Sequence, residues 1–262
     1  MKKYIILTLT LIFIGIAFCG CAKKQETPSD LDIIKQRGYL IVGVKTDSPP
    51  FGYYNKKKVL VGVDIEIANE IANHIFNNDS PGNIKYVSVT PQNRIYKLNS
   101  KEVDILVSTM SINEKRKLIM NFSIPYFAAN QKIMINKNSK ISGLQYFNKH
   151  GKLAVVLGTT GEKTSKFTVP NANIIGAKTY TEAFNLLKTG AVDAILGVDC
   201  ILQGLNDKNY RIVNRAYSRE YYAVATRKTD NSKELLNAVN VTISSILDNK
   251  KINLIKKRYL LY

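Results

Sequence analysis

Short apolar runs alternate with amphipathic segments over most of the chain. The runs have the length and composition of buried strands, and they lie at residues 40–44, 84–89, 103–107, 153–157, 174–175, 192–196 and 222–225. Several of the segments between them carry apolar residues at helical spacing, as Ile67, Ile71 and Ile75 do. This alternation predicts an α/β fold with mostly parallel sheets flanked by helices.

The alternation restarts near Lys152. Two successive α/β units, each of about 100 residues, predict two lobes. Ligands of open α/β sheets bind beyond the carboxyl ends of the strands. In a two-lobed chain those ends can face each other, so we expect the binding site in a cleft between the lobes.

Polar residues predict where some of the helices begin. Asp64 and Thr181 each stand just before a helical pattern, where an N-cap belongs. Thr90 precedes Pro91, an order typical of a cap followed by a first-turn proline.

The N-terminus has the pattern of an export signal. Two lysines precede an uncharged apolar run at residues 5–18, which is shorter than the roughly 20 residues of a spanning helix. The run ends at Gly20-Cys21, an arrangement that resembles a bacterial lipobox. We therefore expect a signal peptide at 1–20, lipidation of Cys21, and a lipidated N-terminus and polar tether at 21–31. An uncleaved anchor and an ordinary signal peptide are the alternatives.

The chain is strongly basic, with 38 Lys and Arg residues against 20 Asp and Glu and a formal net charge of +18. The basic residues are spread along the sequence and form no recognisable nucleic-acid-binding motif. Export also argues against a nucleic-acid partner. We interpret the charge as a solvated basic surface near anionic lipid.

The cysteines restrict the chemistry further. Of three, Cys19 falls in the signal, Cys21 is the proposed anchor, and Cys200 alone remains in the mature domain. A single thiol forms no internal disulfide and no multi-cysteine zinc site. We expect no metal and no cofactor.

Residues 103–107 run directly into a polar segment that ends at Arg116. This order places hydroxyls and an arginine just past a strand end. A guanidinium can hold a carboxylate with two parallel hydrogen bonds. Taken alone, Arg116 could equally be a surface arginine.

Five motifs in order decide between these interpretations. They span residues 42–53, 62–68, 93–95, 111–127 and 158–160. Together they resemble the polar amino-acid-binding proteins of ABC transporters, and the similarity covers about residues 33–260. The resemblance implies a two-lobed periplasmic-binding-protein fold of type II, with the ligand cleft between the lobes.

The resemblance also implies the domain boundaries. The segments 121–127 and 221–225 match the hinge strands of the family. We therefore expect lobe 1 at 32–127 plus 222–262, lobe 2 at 132–218, and hinge strands near 128–131 and 219–221.

For lobe 1, the resemblance implies that Arg116, helped by Ser111, holds the α-carboxylate of the ligand. The carbonyl of Thr109 would receive the α-amino group, and Phe51 would pack against the aliphatic part. Arg94 matches an arginine that contacts the side-chain carboxylate in relatives that take acidic amino acids.

For lobe 2, Thr160 would close over the carboxylate, and Thr159 beside it is a further candidate for ligand binding, although both could merely cap a helix. The family places an aspartate at the ammonium group. A gapless match puts Val198 at that position, and Asp199 follows one residue late. Either the loop shifts by one residue or the amine is held differently.

A charge count gives the expected ligand. Arg94, Arg116 and Asp199 would leave the empty site at +1, and Lys45 could add positive charge. Glutamate or aspartate complements such a site, since a neutral ligand would leave Arg94 desolvated without a partner. A neutral polar amino acid such as cysteine or glutamine is the alternative.

These features predict an extracytoplasmic lipoprotein that captures an amino acid and delivers it to the permease of an ABC importer. We expect a monomer, anchored by lipid to the cell membrane on its periplasmic side or outer face. A dehydratase or a signalling receptor on the same scaffold are the alternatives. No catalytic residue is predicted, because no acid for dehydration can be identified in the cleft.

Overall fold

The computed structural model describes residues 27–77, 82–205 and 207–259, so the predicted signal peptide and Cys21 lie outside the described residues. The strands are β1 (Leu40–Val44), β2 (Asp47–Ser48), β3 (Gly52–Tyr54), β4 (Leu60–Val61), β5 (Ile84–Ser88), β6 (Ile105–Val107), β7 (Met120–Phe122), β8 (Phe127–Asn136), β9 (Lys152–Val156), β10 (Asn173–Ala177), β11 (Ala194–Val198), β12 (Tyr210–Ile212), β13 (Ser218–Tyr222) and β14 (Ala225–Arg227). The helices are α1 (Asp30–Arg37), α2 (Val63–Phe76), α3 (Arg94–Asn99), α4 (Glu114–Lys117), α5 (Thr160–Thr168), α6 (Tyr180–Lys188), α7 (Asp199–Leu205), α8 (Lys233–Asp248) and α9 (Lys251–Tyr259). Short 3-10 turns span Leu144–Asn148 and Asp230–Ser232.

Two mixed sheets organise the chain. The first has the order β5-β1-β6-β14-β7, and we call the part of the chain around it lobe 1. The second has the order β10-β9-β11-β8-β12, with β13 also paired to β8, and we call the part around it lobe 2. A small sheet of β2, β3 and β4 flanks lobe 1. The two-lobed α/β fold predicted from the sequence is confirmed.

The prediction of mostly parallel sheets is wrong in detail. Strands β5, β1 and β6 are parallel, as are β10, β9 and β11. Strand β14 is antiparallel to β6 and β7, and β8 is antiparallel to β11, β12 and β13. A parallel neighbour needs a crossover connection of a dozen or more residues. Strand β8 follows β7 after four residues but lies in the other sheet, so the chain enters lobe 2 there without a crossover within that sheet.

The segment 222–225, predicted as one strand, is divided between the two sheets. Strand β13 ends at Tyr222 on β8, and β14 starts at Ala225 on β6. Ala223 and Val224 between them are fully buried, so the apolar run continues although the strand does not. Residues 128–131 and 219–221, where hinge strands are expected, lie in the paired strands β8 and β13.

Three predicted helix starts are displaced. Helix α2 begins at Val63 after Gly62, so Asp64 lies in the first turn and is not the cap. Helix α6 is capped by Thr179, whose hydroxyl accepts a hydrogen bond from the Glu182 backbone, and not by Thr181. The segment after Thr90 turns once before α3 begins at Arg94.

The N-terminal tether is shorter than predicted. Residues 30 and 31 belong to α1, because Ser29 caps this helix by accepting a hydrogen bond from the Asp32 backbone.

Buried apolar side chains form a large cluster that continues from lobe 1 into lobe 2. Phe51, Phe127 and Tyr222 connect the two parts through ring contacts with centroids 4.9–6.0 Å apart. Within the described ranges, no helix combines the length and apolar content needed to cross a membrane.

Candidate functional site

Two connected cavities lie between the lobes. The inner cavity has a volume of about 20 Å³, room for about one water. Its lining residues come from both lobes: Lys45, Pro91, Arg94, Thr109, Ser111, Arg116, Thr159, Thr160, Tyr180, Val198, Ile201 and Tyr222. An outer groove of about 640 Å³ shares Pro91, Arg116, Thr159 and Thr160 with it. The inner cavity must therefore widen before it can hold an amino acid.

Arg116 lies where the two cavities meet. Asn113 caps the short helix α4, and its side chain accepts a hydrogen bond from the Arg116 backbone at 2.9 Å, which fixes the backbone of Arg116. Its Nη1 donates to the Ser111 carbonyl at 2.8 Å, and its Nη2 donates across the cleft to the Gly158 carbonyl at 3.3 Å. Burial lowers the pKa of Arg116. The guanidinium is held by its own lobe and contacts the other.

Arg94 is more deeply buried and has fewer partners. Its Nη1 donates to the Ser108 carbonyl at 2.6 Å, whereas its buried Nε has no hydrogen-bond partner in the described protein. Burial, with a smaller contribution from Arg116, lowers the pKa of Arg94 to about 9. An acceptor from a ligand would satisfy the free donor.

Lys45 is already paired. Its Nζ lies 2.7 Å from Asp47 Oδ1 and donates to the Ser48 hydroxyl at 2.8 Å. Burial lowers the pKa of Lys45, against the opposing effect of Asp47. The positive charge that the sequence suggested at this position is therefore largely neutralised from within lobe 1.

Asp64 does not line the cavity, but it binds Thr109, which does. Its side chain is fully buried, and it accepts hydrogen bonds from the Thr109 backbone at 2.8 Å and the Tyr126 hydroxyl at 2.7 Å. Burial raises the pKa of Asp64 to about 6, although both hydrogen bonds lower it. Thr109 has a φ of 50°, a conformation that non-glycine residues rarely adopt, and the bond to Asp64 holds it there.

Lobe 2 contributes helix termini and hydroxyls. Thr159 is the N-cap residue of α5, and its hydroxyl donates to the Val156 carbonyl at 2.6 Å, while Thr160 begins the helix. Gly158 has a φ of 76° and lies so close to the Pro91 carbonyl across the cleft that a Cβ there would overlap it. Thr159 and Thr160 line the inner cavity, where the resemblance places them.

Two predicted contacts are not seen at the inner cavity. Phe51 is fully buried and packs behind Tyr222, with ring centroids 5.3 Å apart. Asp199 accepts hydrogen bonds from the Asn130 backbone at 3.1 Å and the Cys200 backbone at 2.9 Å. Neither residue lines the cavity, because these neighbours hold them away from it; Val198 lies there instead. Direct ligand contact by Phe51 and Asp199 stays a prediction.

Tyr180, Tyr222, Pro91 and Ile201 line the cavity but were not predicted to do so. Tyr222 stands where β13 ends, and Tyr180 is the first residue of α6. A search of strand ends and helix starts for aromatic hydroxyls would have found both. Among the described residues, no group of His, Cys, Asp and Glu could hold a metal ion.

Comparisons with known proteins agree with this arrangement. Residues 40–262 match the bacterial extracellular solute-binding proteins, family 3. The chain is 31% identical to the ABC transporter glutamine-binding protein GlnH of Bacillus subtilis (strain 168), over 99% of this chain and 98% of that protein. It is 34% identical to a glutamine-binding protein of Geobacillus stearothermophilus, over 87% of this chain and 93% of the relative.

Two further similarities are to proteins that are named for other ligands. The chain is 29% identical to the glutamate/aspartate import solute-binding protein of Escherichia coli (strain K12), over 77% of this chain and 70% of that protein. Among solved structures, a mutant of ArgBP from T. maritima superposes with a TM-score of 0.81 at 29% identity, covering 88% of this chain and 98% of that one. The fold is that of amino-acid-binding proteins.

Proposed function

This chain belongs to the bacterial extracellular solute-binding proteins of family 3, and on that basis we propose that the amino acid it binds for an ABC importer is glutamine. Proteins of this family are non-enzymatic components of transport, so the task of the cleft is binding and not catalysis. The two glutamine-binding relatives support the choice of ligand, because they match over nearly the whole chain.

The charge balance around the cavity carries the proposal. Three cations surround it: Lys45, Arg94 and Arg116. Three buried or partly buried carboxylates act on those cations: Asp47, Asp64 and Glu220. The charges cancel, so a zwitterion with an uncharged side chain suits the site. The sequence-based count of +1 included Asp199, which faces away, and omitted these carboxylates.

Glutamate or aspartate is the second candidate, and one observation favours it. The buried Nε of Arg94 has no partner in the described protein, and a side-chain carboxylate would accept from it with a charge-assisted hydrogen bond. The amide oxygen of glutamine can accept from the same donor, although less strongly. Arg94 can therefore form the same hydrogen bond to either ligand, and it distinguishes them only by the strength of that bond.

Calorimetry with the mature protein tests the proposal. Glutamine, glutamate, aspartate and cysteine are titrated separately at one pH and ionic strength. We expect glutamine to bind most tightly. If glutamate binds tenfold more tightly than glutamine, a difference of about 1.4 kcal/mol, the charges around the cavity do not cancel and the second candidate is correct.

We propose in addition that Cys21 is lipidated after cleavage of residues 1–20 and anchors the protein on the outer side of the cell membrane. The sequence around Cys21 supports this, and the family is extracellular. Cys21→Ser should release the protein into the soluble fraction or block its processing. Unchanged membrane association together with an unchanged mature mass would contradict the anchor.

We also propose that the lobes, at 32–127 plus 222–262 and at 132–218, move about hinges at 128–131 and 219–221. The inner cavity is too small for an amino acid, so entry requires the lobes to part. Solution scattering should show a smaller radius of gyration when glutamine is added. An unchanged radius at saturating glutamine would contradict the hinge.

A further inference from the structure

The wall of the inner cavity has an unusual charge pattern for a site that takes amino acids. Three of its described lining residues are cationic, and no described lining residue is acidic. A free amino acid carries a positive α-ammonium group, which is ordinarily paired with a carboxylate when it is desolvated. The cavity offers that group no carboxylate on its surface.

We propose that this cavity does not depend on the charge of the ligand's α-amino group, and that it also binds 2-hydroxy acids in which a hydroxyl replaces the ammonium. The inference rests on the proposed function, since it assumes that Arg116 holds a carboxylate in this cavity. It extends that function from amino acids to a second class of ligand.

The carboxylates near the cavity are each held by protein donors through at least one oxygen, and none of them lines the cavity. The two oxygens of Asp64 accept from the Thr109 backbone and the Tyr126 hydroxyl. Asp47 is paired with Lys45 through Oδ1 at 2.7 Å, and its buried Oδ2 has no hydrogen-bond partner among the described residues. Asp199 accepts from the backbone and the side chain of Asn130. Glu220 accepts from the side chains of Gln131 and Ser218. To reach an ammonium group in the cavity, each of these four carboxylates would have to move from its present position, since none of them lines the cavity.

Val198 stands where a carboxylate could have faced the ligand. This residue lines the cavity on the lobe 2 side. Its backbone is hydrogen-bonded to the hydroxyl of Tyr180, which also lines the cavity. This bond fixes Val198 in place, so a shift of the loop by one residue would break it.

The remaining polar groups on the wall of the cavity can accept either an ammonium or a hydroxyl group. Ser111, Thr160, Tyr180 and Tyr222 carry hydroxyls, and a hydroxyl can donate or accept a hydrogen bond. Such groups can bind an ammonium or a hydroxyl alike. Arg94 and Arg116 repel an ammonium but not a hydroxyl. The loss of the ammonium charge therefore removes its repulsion by the two arginines together with its attraction to the carboxylates around the cavity. These two effects on the affinity offset each other.

Calorimetry on matched pairs of ligands tests the inference. Glutamine is compared with 2-hydroxyglutaramate, and glutamate with 2-hydroxyglutarate. In the wild-type protein, the two members of a pair should differ by no more than about tenfold in affinity. A conventional ammonium–carboxylate pair would separate them by more than about 30-fold.

Two variants at one position provide the control. Val198→Asp installs a carboxylate on the wall, so the preference for the amino acid over its hydroxyl analogue should rise by more than about 30-fold. Val198→Asn has nearly the same shape without the charge, and its preference should stay within about tenfold of the wild type. Thermal unfolding of each variant verifies that it folds.

The outcomes separate this inference from the proposed function. If glutamine binds and its hydroxyl analogue is more than about 30-fold weaker, the inference is overturned while the proposed function stands. If the hydroxy acids bind and neither amino acid does, the α-amino charge does matter and glutamine is the wrong ligand, so the inference and the proposed function are both overturned. If no member of either pair binds, both are overturned. The wild-type comparison decides even if Val198→Asp does not fold.

Discussion

The two lobes form their halves of the inner cavity differently. Lobe 1 supplies the charged side chains, and each of them is fixed by protein partners on its own lobe: Lys45, Arg94 and Arg116. Lobe 2 supplies the start of a helix, hydroxyls and apolar side chains: Thr159, Thr160, Tyr180, Val198 and Ile201. On the basis of this difference we propose that lobe 1 holds the charge of the ligand before closure, whereas lobe 2 excludes water and encloses the ligand.

The largest expected effect is on lobe 1. Arg116→Ala should weaken every amino-acid ligand by about 2–5 kcal/mol, because the α-carboxylate would be left buried without its partner. Calorimetry with glutamine and glutamate measures the loss. Lys117→Ala is the matched control, since Lys117 is exposed on the same short helix and does not line either cavity. If the two variants bind equally well, Arg116 does not hold the ligand.

The next effect concerns the pH dependence of stability in lobe 1. The pKa of Asp64 is raised from 3.8 to about 6 in the folded protein, so the folded state binds this proton more tightly than the unfolded state. The resulting stability is present below pH 4 and is lost as the pH rises through 6, in total about 3 kcal/mol. Asp64→Asn should remove this dependence.

Denaturant unfolding at pH values between 4 and 7 tests whether the stability contributed by Asp64 falls as the pH rises. The difference in unfolding free energy between wild type and Asp64→Asn should change with pH in the stated direction. Tyr126→Phe removes a hydrogen bond that lowers the pKa of Asp64, so its pH dependence should be steeper than that of the wild type. Parallel pH profiles for the wild type and Asp64→Asn would mean that Asp64 is not protonated near pH 6.

Arg94→Ala tests whether lobe 1 discriminates between ligands. Glutamate should lose about 1.5–3 kcal/mol, the contribution of a hydrogen bond to a charged group. Glutamine should lose less, about 0.5–1.5 kcal/mol, because its amide oxygen is neutral. Equal losses for the two ligands would show that Arg94 does not contact the side chain.

A further effect should come from the contact of lobe 2 with lobe 1. Gly204 in α7 approaches the Pro49 carbonyl so closely that a Cβ would overlap it. Gly204→Ala should therefore hinder closure and weaken glutamine by about 1–3 kcal/mol. Thermal stability should not fall in parallel, because alanine is better than glycine within a helix by about 1 kcal/mol.

Gly82→Ala provides the comparison for that variant, since none of the described residues comes within 4 Å of a Cβ at Gly82. Its affinity for glutamine should equal that of the wild type. Gly204→Ala with unchanged affinity would mean that the lobes close without this contact.

The alternation of apolar runs predicted the fold well because it depends on burial alone. The strand at 40–44 has the bounds that the sequence predicts. The prediction of a single strand at 222–225 was wrong, because Ala223 and Val224 are as buried as strand residues although they connect two sheets. Periodicity cannot show which sheet an apolar residue faces.

The site was predicted less completely, and for a different reason. The positions of Arg116, Ser111 and Thr160 follow from motifs, and all three line the cavity. The roles of Lys45 and Asp64 depend on which groups lie beside them in space. A residue with a cap-like position, such as Asp64, can instead be buried against Thr109, and only the tertiary contact shows this.

A crystal structure of the mature protein grown with glutamine would test the account most directly. We expect the α-carboxylate to accept hydrogen bonds from the Arg116 guanidinium, the side-chain amide to lie near Arg94, and the α-amino group to meet hydroxyl or carbonyl oxygens with no carboxylate in contact. Density for glutamine bound away from Arg116, or an amino group paired with Asp199, would contradict the division of roles between the two lobes.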